Sequence, residues 1–125
     1  MSKRNWISVK DKLPEPCVEV IVYFSSGRIG ESFMSLDGNF SLEAFYGKVE
    51  YWQPMPEAPS VDMSNWISVN DDKPKSYVWV IVYFSSGHIG ESEMLRSGNF
   101  CFELSYGKVT HWQPLPDPPE VDRCL

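Results

Sequence analysis

Val20-Ile21-Val22-Tyr23-Phe24-Ser25-Ser26-Gly27 decides the fold, and the chain contains it twice. Val80 to Gly87 repeats it residue for residue, sixty positions later. Five consecutive β-branched or aromatic residues specify a strand, because such side chains pack well on a pleated surface. Val18, Val20, Val22 and Phe24 share one face; Glu19, Ile21 and Tyr23 share the other. Both faces are largely apolar, so the strand is expected to be central, or to have one face covered by the other copy. Ser25-Ser26-Gly27 closes it with a tight hairpin, glycine supplying the positive φ.

The repeat extends in both directions. Asn5-Trp6-Ile7-Ser8-Val9 returns as Asn65-Trp66-Ile67-Ser68-Val69, and Trp52-Gln53-Pro54 as Trp112-Gln113-Pro114. Well over half of the pairs from Asn5/Asn65 to Asp62/Asp122 are identical. The chain of 125 residues therefore divides into two units, residues 1–62 and 63–125. A unit of this size buries only about 60% of the surface its unfolded chain exposes. The two units are accordingly expected to pack together about a pseudo-twofold axis. Pro56 and Pro59 stiffen the connection between them.

Within one unit, a second strand is expected from Arg28 to about Leu36, with Gly30, Ser32 and Met34 on one side. Asp37-Gly38 marks the next turn, and Ser97-Gly98 its counterpart. Phe40, Leu42 and Ala44 then alternate with polar residues, as do Phe100, Phe102 and Leu104, which predicts a half-buried strand. Tyr46-Gly47-Lys48 turns the chain into a last strand, Val49 to Gln53. A short strand near Trp6 to Val9 opens the unit. No segment carries capped 3.6-residue periodicity. The expected class is all-β: two tandem antiparallel meanders of three to five strands each.

Five Trp, six Tyr and seven Phe give each unit ample core, since each ring buries roughly 150–250 Å². A net charge of −6 with no Lys/Arg run excludes a basic stripe for nucleic acid. The three cysteines have no shared spacing, so neither disulfides nor zinc are expected. No cofactor motif is present, and no apolar run is long enough for a membrane span. A cytoplasmic, reduced setting is the expectation from these points.

Catalytic candidates are sparse. His88 stands where copy one has Arg28, and His111 where it has Tyr51. Glu31/Glu91 and Glu43/Glu103 are the glutamates retained in both copies. Two carboxylates and a histidine leave a remote hydrolase reading. Aromatic residues point instead to binding, tryptophan above all. Trp6/Trp66 and Trp52/Trp112 read as core. Trp79 replaces Glu19 and either fills an interface between units or anchors a partner. The binding candidates are Trp79, Tyr23, Tyr83, Arg28, His88, Glu31, Glu91 and His111. The primary expectation is an acidic, aromatic, non-enzymatic protein that docks on the basic surface of another protein. The alternative is sequestration of a small molecule or nucleotide at the junction of the repeats, held by groups such as Arg28, His88, Lys48 and Lys108.

The opening Trp6-Ile7-Ser8-Val9 with Asp11 and Pro14, taken with the closing Val109-Thr110-His111-Trp112-Gln113-Pro114-Leu115-Pro116-Asp117-Pro118-Pro119, resembles domain-of-unknown-function family 551. Its members are small domains found largely in tailed phages and prophages. Copy one departs from the closing motif at Tyr51, Met55 and Ala58. The resemblance implies a phage or prophage accessory protein expressed in a bacterial cytoplasm, and no activity; in that setting the expected partner is a host protein, such as a defence component, that the chain inhibits or modulates. It brings no catalytic residues.

Overall fold

A computed structural model describes residues 6–59 and 65–119. The chain forms two compact units, Met1–Met55 with Pro116–Leu125, and Pro56–Leu115. Each is built on one four-stranded antiparallel sheet.

In unit 1 the elements are β1 (Ile7–Ser8), β2 (Val20–Phe24), β3 (Ile29–Ser32), α1 (Glu43–Tyr46) and β4 (Val49–Pro54). The β2 run is interior, as its composition requires: it hydrogen-bonds to β3 on one side and β4 on the other, and all five of its residues are buried. The order across the sheet is β1-β4-β2-β3, so β4 inserts between β1 and β2. Unit 2 repeats this with β5 (Ile67–Ser68), β6 (Trp79–Phe84), β7 (Ile89–Glu93), α2 (Glu103–Tyr106) and β8 (Val109–Pro114), in the order β5-β8-β6-β7. No helix among the described residues is long and apolar enough to cross a membrane.

The hairpin forms as its sequence dictates. Gly27 N–H donates to the Phe24 carbonyl at 2.8 Å, and Phe24 N–H to the Arg28 carbonyl at 2.9 Å. Gly27 sits at φ 99°, in the left-handed region that an L side chain rarely enters.

One sheet face carries the core. In unit 1, Val20, Val22 and Phe24 pack with Met34, Phe40, Val49 and Trp52, and with the partly buried Ile7, Val9 and Tyr46. Val49 and Trp52 are three residues apart, yet both face this core. Plain alternation forbids that. A bulge resolves it: Tyr23 pairs with Tyr51, but Phe24 pairs with Val49, leaving Glu50 as the extra residue. The same register shift lies between Tyr83 and Phe84 in unit 2. There the core is Val80, Val82, Phe84, Phe100, Val109 and Trp112. Full burial of one such side chain contributes roughly 1.5–3 kcal/mol.

The strand expected over Phe40 to Ala44 is not formed, nor is its counterpart. Phe40 makes a single bridge to Met34, and Phe100 to Met94. The backbone then enters the left-handed region at Leu42 (φ 71°) and Phe102 (φ 74°) and winds one helical turn, α1 or α2. Only Phe40 and Phe100 of the expected inner face are buried; Leu42, Ala44, Phe102 and Leu104 are exposed. The physical reason is Glu43 and its equivalent Glu103, whose carboxylates hold the turn closed from inside, as described below. The strand expected from Arg28 to Leu36 likewise ends early, at Ser32. Beyond it, Ser35 N–H donates to the Asn39 carbonyl at 2.7 Å and closes a tight turn. The exposed Asp37 in that turn is held below the usual carboxylate range, first by a hydrogen bond from the Ser35 hydroxyl and then by the Asn39 backbone N–H.

Candidate functional site

The segment between Phe40 and Val49 forms a knuckle, and its lock is Glu43. One carboxylate oxygen accepts from Phe40 N–H at 3.3 Å, the other from Val49 N–H at 2.8 Å. Glu103 does the same for Phe100 at 3.1 Å and Val109 at 2.8 Å. A carboxylate that accepts from backbone amides makes a charge-assisted bond, stronger than a neutral one. Two strand-end amides that the sheet ladder leaves unused are thereby satisfied. The far end of the knuckle needs glycine: Gly47 has φ 95° and ψ −177°, a region essentially reserved for that residue. A β-carbon there would run into the Ser25 hydroxyl, which accepts the Lys48 N–H at 3.1 Å.

The knuckle's inner contact is Tyr46. Its ring lies 5.3 Å from that of Phe24, and the Arg28 guanidinium sits 4.7 Å above its centroid. In unit 2, Tyr106 lies 5.2 Å from Phe84, and the His88 imidazole stacks on it at 4.1 Å and 18°. Arg28 and His88 thus perform one task with different chemistry: a flat, polar group laid over a tyrosine face.

The outer surface of the knuckle is apolar and in solvent. Phe45 is 78% exposed, and Leu104 is fully exposed. Leu42, Phe102 and, in the preceding turn of unit 1, Leu36 are exposed as well. A bulky residue in the left-handed region is a backbone outlier, and Leu42 and Phe102 are both of this kind. The molecule therefore carries strain and a two-oxygen lock to hold apolar side chains outward.

The remaining sequence candidates lie on the sheet face opposite the core. Tyr23 is 4% exposed, between Trp6 and Tyr51, with ring centroids 6.3 and 6.2 Å away in edge-on contact. Tyr83 stands likewise between Trp66 at 6.2 Å and His111 at 6.3 Å. His111 Nδ1 is 2.9 Å from the Thr110 hydroxyl. Glu31 pairs across from Ile21, and Glu91 from Ile81, where it is buried. Trp79 is half-buried opposite Glu93. The structure thus gathers Tyr23 and Glu31 on this face in one unit, and Tyr83, His111, Glu91 and Trp79 in the other. Arg28 and His88 belong to the knuckle instead.

Sequence reasoning missed the knuckle's outward residues. One signal was available: Phe45 stands opposite Ser105, and Ala44 opposite Leu104. Exchanges of that size are poorly tolerated in a packed interior and fit positions in water.

No curated protein and no solved structure matches the chain. A family model does match, twice, at residues 5–60 and 65–120, and it bears the description "Protein of unknown function (DUF551)". Each match spans one whole β-unit sequence, from the opening Trp6 or Trp66 to the closing proline segment. With nearly its full length covered, the chain belongs to this family, as two tandem copies of the domain.

Proposed function

We propose that the protein acts by non-covalent binding, as a phage or prophage accessory factor that engages a host bacterial protein, a defence component being the foremost class. The observation that carries this is the pair of locked knuckles. Each presents large apolar side chains to solvent from a backbone fixed by Glu43 or Glu103, and binding residues commonly sit on loops held by a rigid scaffold. Their aromatic and aliphatic character suits an anchor that fills a pocket on the partner. The net charge of −6 favours a partner whose pocket is ringed by basic residues. The phage setting rests on the resemblance of the opening and closing motifs.

The tandem copies themselves supply tolerated substitutions for a test. Phe45→Ser installs the residue of copy two, and Leu104→Ala installs that of copy one. With both side chains in water, the double variant should unfold within about 0.5 kcal/mol of the parent. The full chain used as bait in host lysate should return one protein in stoichiometric amount, and the double variant should lose it. An empty parent bait, or an undiminished partner on the variant, contradicts the proposal.

A further inference from the structure

Two proline segments are each tied to a tryptophan indole. Pro56-Glu57-Ala58-Pro59 and Pro116-Asp117-Pro118-Pro119 both follow a final strand, and both have proline at first and fourth position. Proline fixes its own φ near −65° and pushes the residue before it into extended backbone. Neither segment has regular secondary structure. In unit 2 the Trp66 indole N–H donates to the Glu57 carbonyl at 2.8 Å. In unit 1 the Trp6 indole N–H donates to the Asp117 carbonyl at 2.7 Å. In each case the acceptor follows the first proline of the motif. The fourth-position proline, Pro59 or Pro119, is buried. Each indole heads an aromatic ladder: Trp6-Tyr23-Tyr51, or Trp66-Tyr83-His111.

An indole donor at the head of an aromatic row is a means of holding a pre-extended proline-rich strand, whose carbonyls carry no internal hydrogen bonds. We infer that the faces headed by Trp6 and Trp66 are recognition sites for P-x-x-P segments, occupied in the resting chain by the chain's own proline stretches. The site in unit 1 holds the stretch that follows copy two's last strand, and the site in unit 2 holds the stretch after copy one's. Recognition is thus already between one copy's framework and the other copy's tail. A P-x-x-P peptide supplied in trans is the same chemistry without the covalent link. This site is separate from the knuckles, and neither assignment depends on the other.

Covalent attachment gives the resident segment a millimolar-scale effective concentration, so the test weakens the resident first. The full chain carrying Pro116→Ala and Pro119→Ala is examined by NMR at its indole N–H signals, with Trp6 assigned by a Trp6→Phe variant. The Trp6 signal should shift and exchange faster with water, while Trp66 stays in place as an internal control. Excess synthetic peptide of the sequence Leu-Pro-Asp-Pro-Pro should restore the Trp6 signal. The same peptide with both outer prolines replaced by alanine should not. In the substituted background, Trp6→Phe should weaken peptide binding roughly tenfold, the worth of about one hydrogen bond. A Trp6 signal unmoved by the proline substitutions overturns the inference, as does a native peptide that moves nothing. Should the variant lose all its dispersed signals, indole exchange in the unsubstituted chain decides. Trp6 and Trp66 protons exchanging at the rate of free indole would refute the seats; protection comparable to that of Trp52 and Trp112 would support them.

Discussion

Replacing Trp112 with alanine should unfold unit 2 at ambient temperature. Trp112 lies opposite Ile67 on one side and Val82 on the other, so it joins two strand pairs. It belongs to the core cluster with Val80, Val82 and Phe84 and is 8% exposed. Its indole N–H also donates to the Asp72 carbonyl at 3.0 Å. That bond ties down the loop in which Pro74 is buried. Truncating a buried Trp costs about 3–5 kcal/mol. A unit of sixty residues has roughly 3–9 kcal/mol in all, at the usual stability per residue. The loss is therefore comparable to the total. Trp112→Phe keeps most of the apolar volume and gives up the hydrogen bond, so about 1–2 kcal/mol should go. Urea denaturation followed by tryptophan fluorescence and far-UV circular dichroism separates the two variants. A Trp112→Ala protein that denatures with the parent would remove this ring from the core. Trp52 is equivalent in unit 1, donating to the Lys12 carbonyl at 2.9 Å.

The second large effect belongs to a residue in no hydrophobic cluster. Glu103→Ala deprives the Phe100 and Val109 amides of their acceptor at once. Each buried donor left unsatisfied costs about 1–3 kcal/mol, and bonds to a charged acceptor lie at the upper end. Partial access of water to the knuckle moderates the sum, so a loss of about 2–4 kcal/mol is expected. Glu103→Gln retains one acceptor oxygen and should lose about half as much. Amide exchange adds the local readout: Phe100 and Val109 should lose protection first. If alanine and glutamine cost the same small amount, the lock is not what holds the knuckle.

The β-framework was legible because its signals are local. Val20 to Phe24 could hardly be anything but an interior strand, and Gly27 could hardly avoid a hairpin. The knuckle was not legible, because Phe40, Leu42 and Ala44 imitate strand alternation. What breaks the alternation is a carboxylate at position 43 reaching amides at 40 and 49, a three-dimensional fit without a sequence period. Glu43 stood out as a retained carboxylate, for which acid–base chemistry was one reading; in the fold, both its oxygens hold backbone amides. The bulge at Glu50 was equally hidden, since it appears only when Val49 and Trp52 are seen to share a face. Arg28 and His88 drew attention as differing, chemically capable residues. Their common partner, a tyrosine 18 positions later in each copy, could not be inferred from spacing. Trp6 and Trp66 read as core from their type. The acceptor carbonyl of each indole lies in a proline stretch that the sequence presents as a connection or a tail.

The claim that the knuckles are the binding surface is tested most directly by photo-crosslinking in the bacterial host. The photoreactive residue p-benzoylphenylalanine is placed at Phe45, at Leu104, or at the exposed Lys10 as a control. The account predicts one and the same host protein covalently attached from positions 45 and 104, and no such adduct from position 10. No adduct from either knuckle, or an equal adduct from position 10, would contradict it.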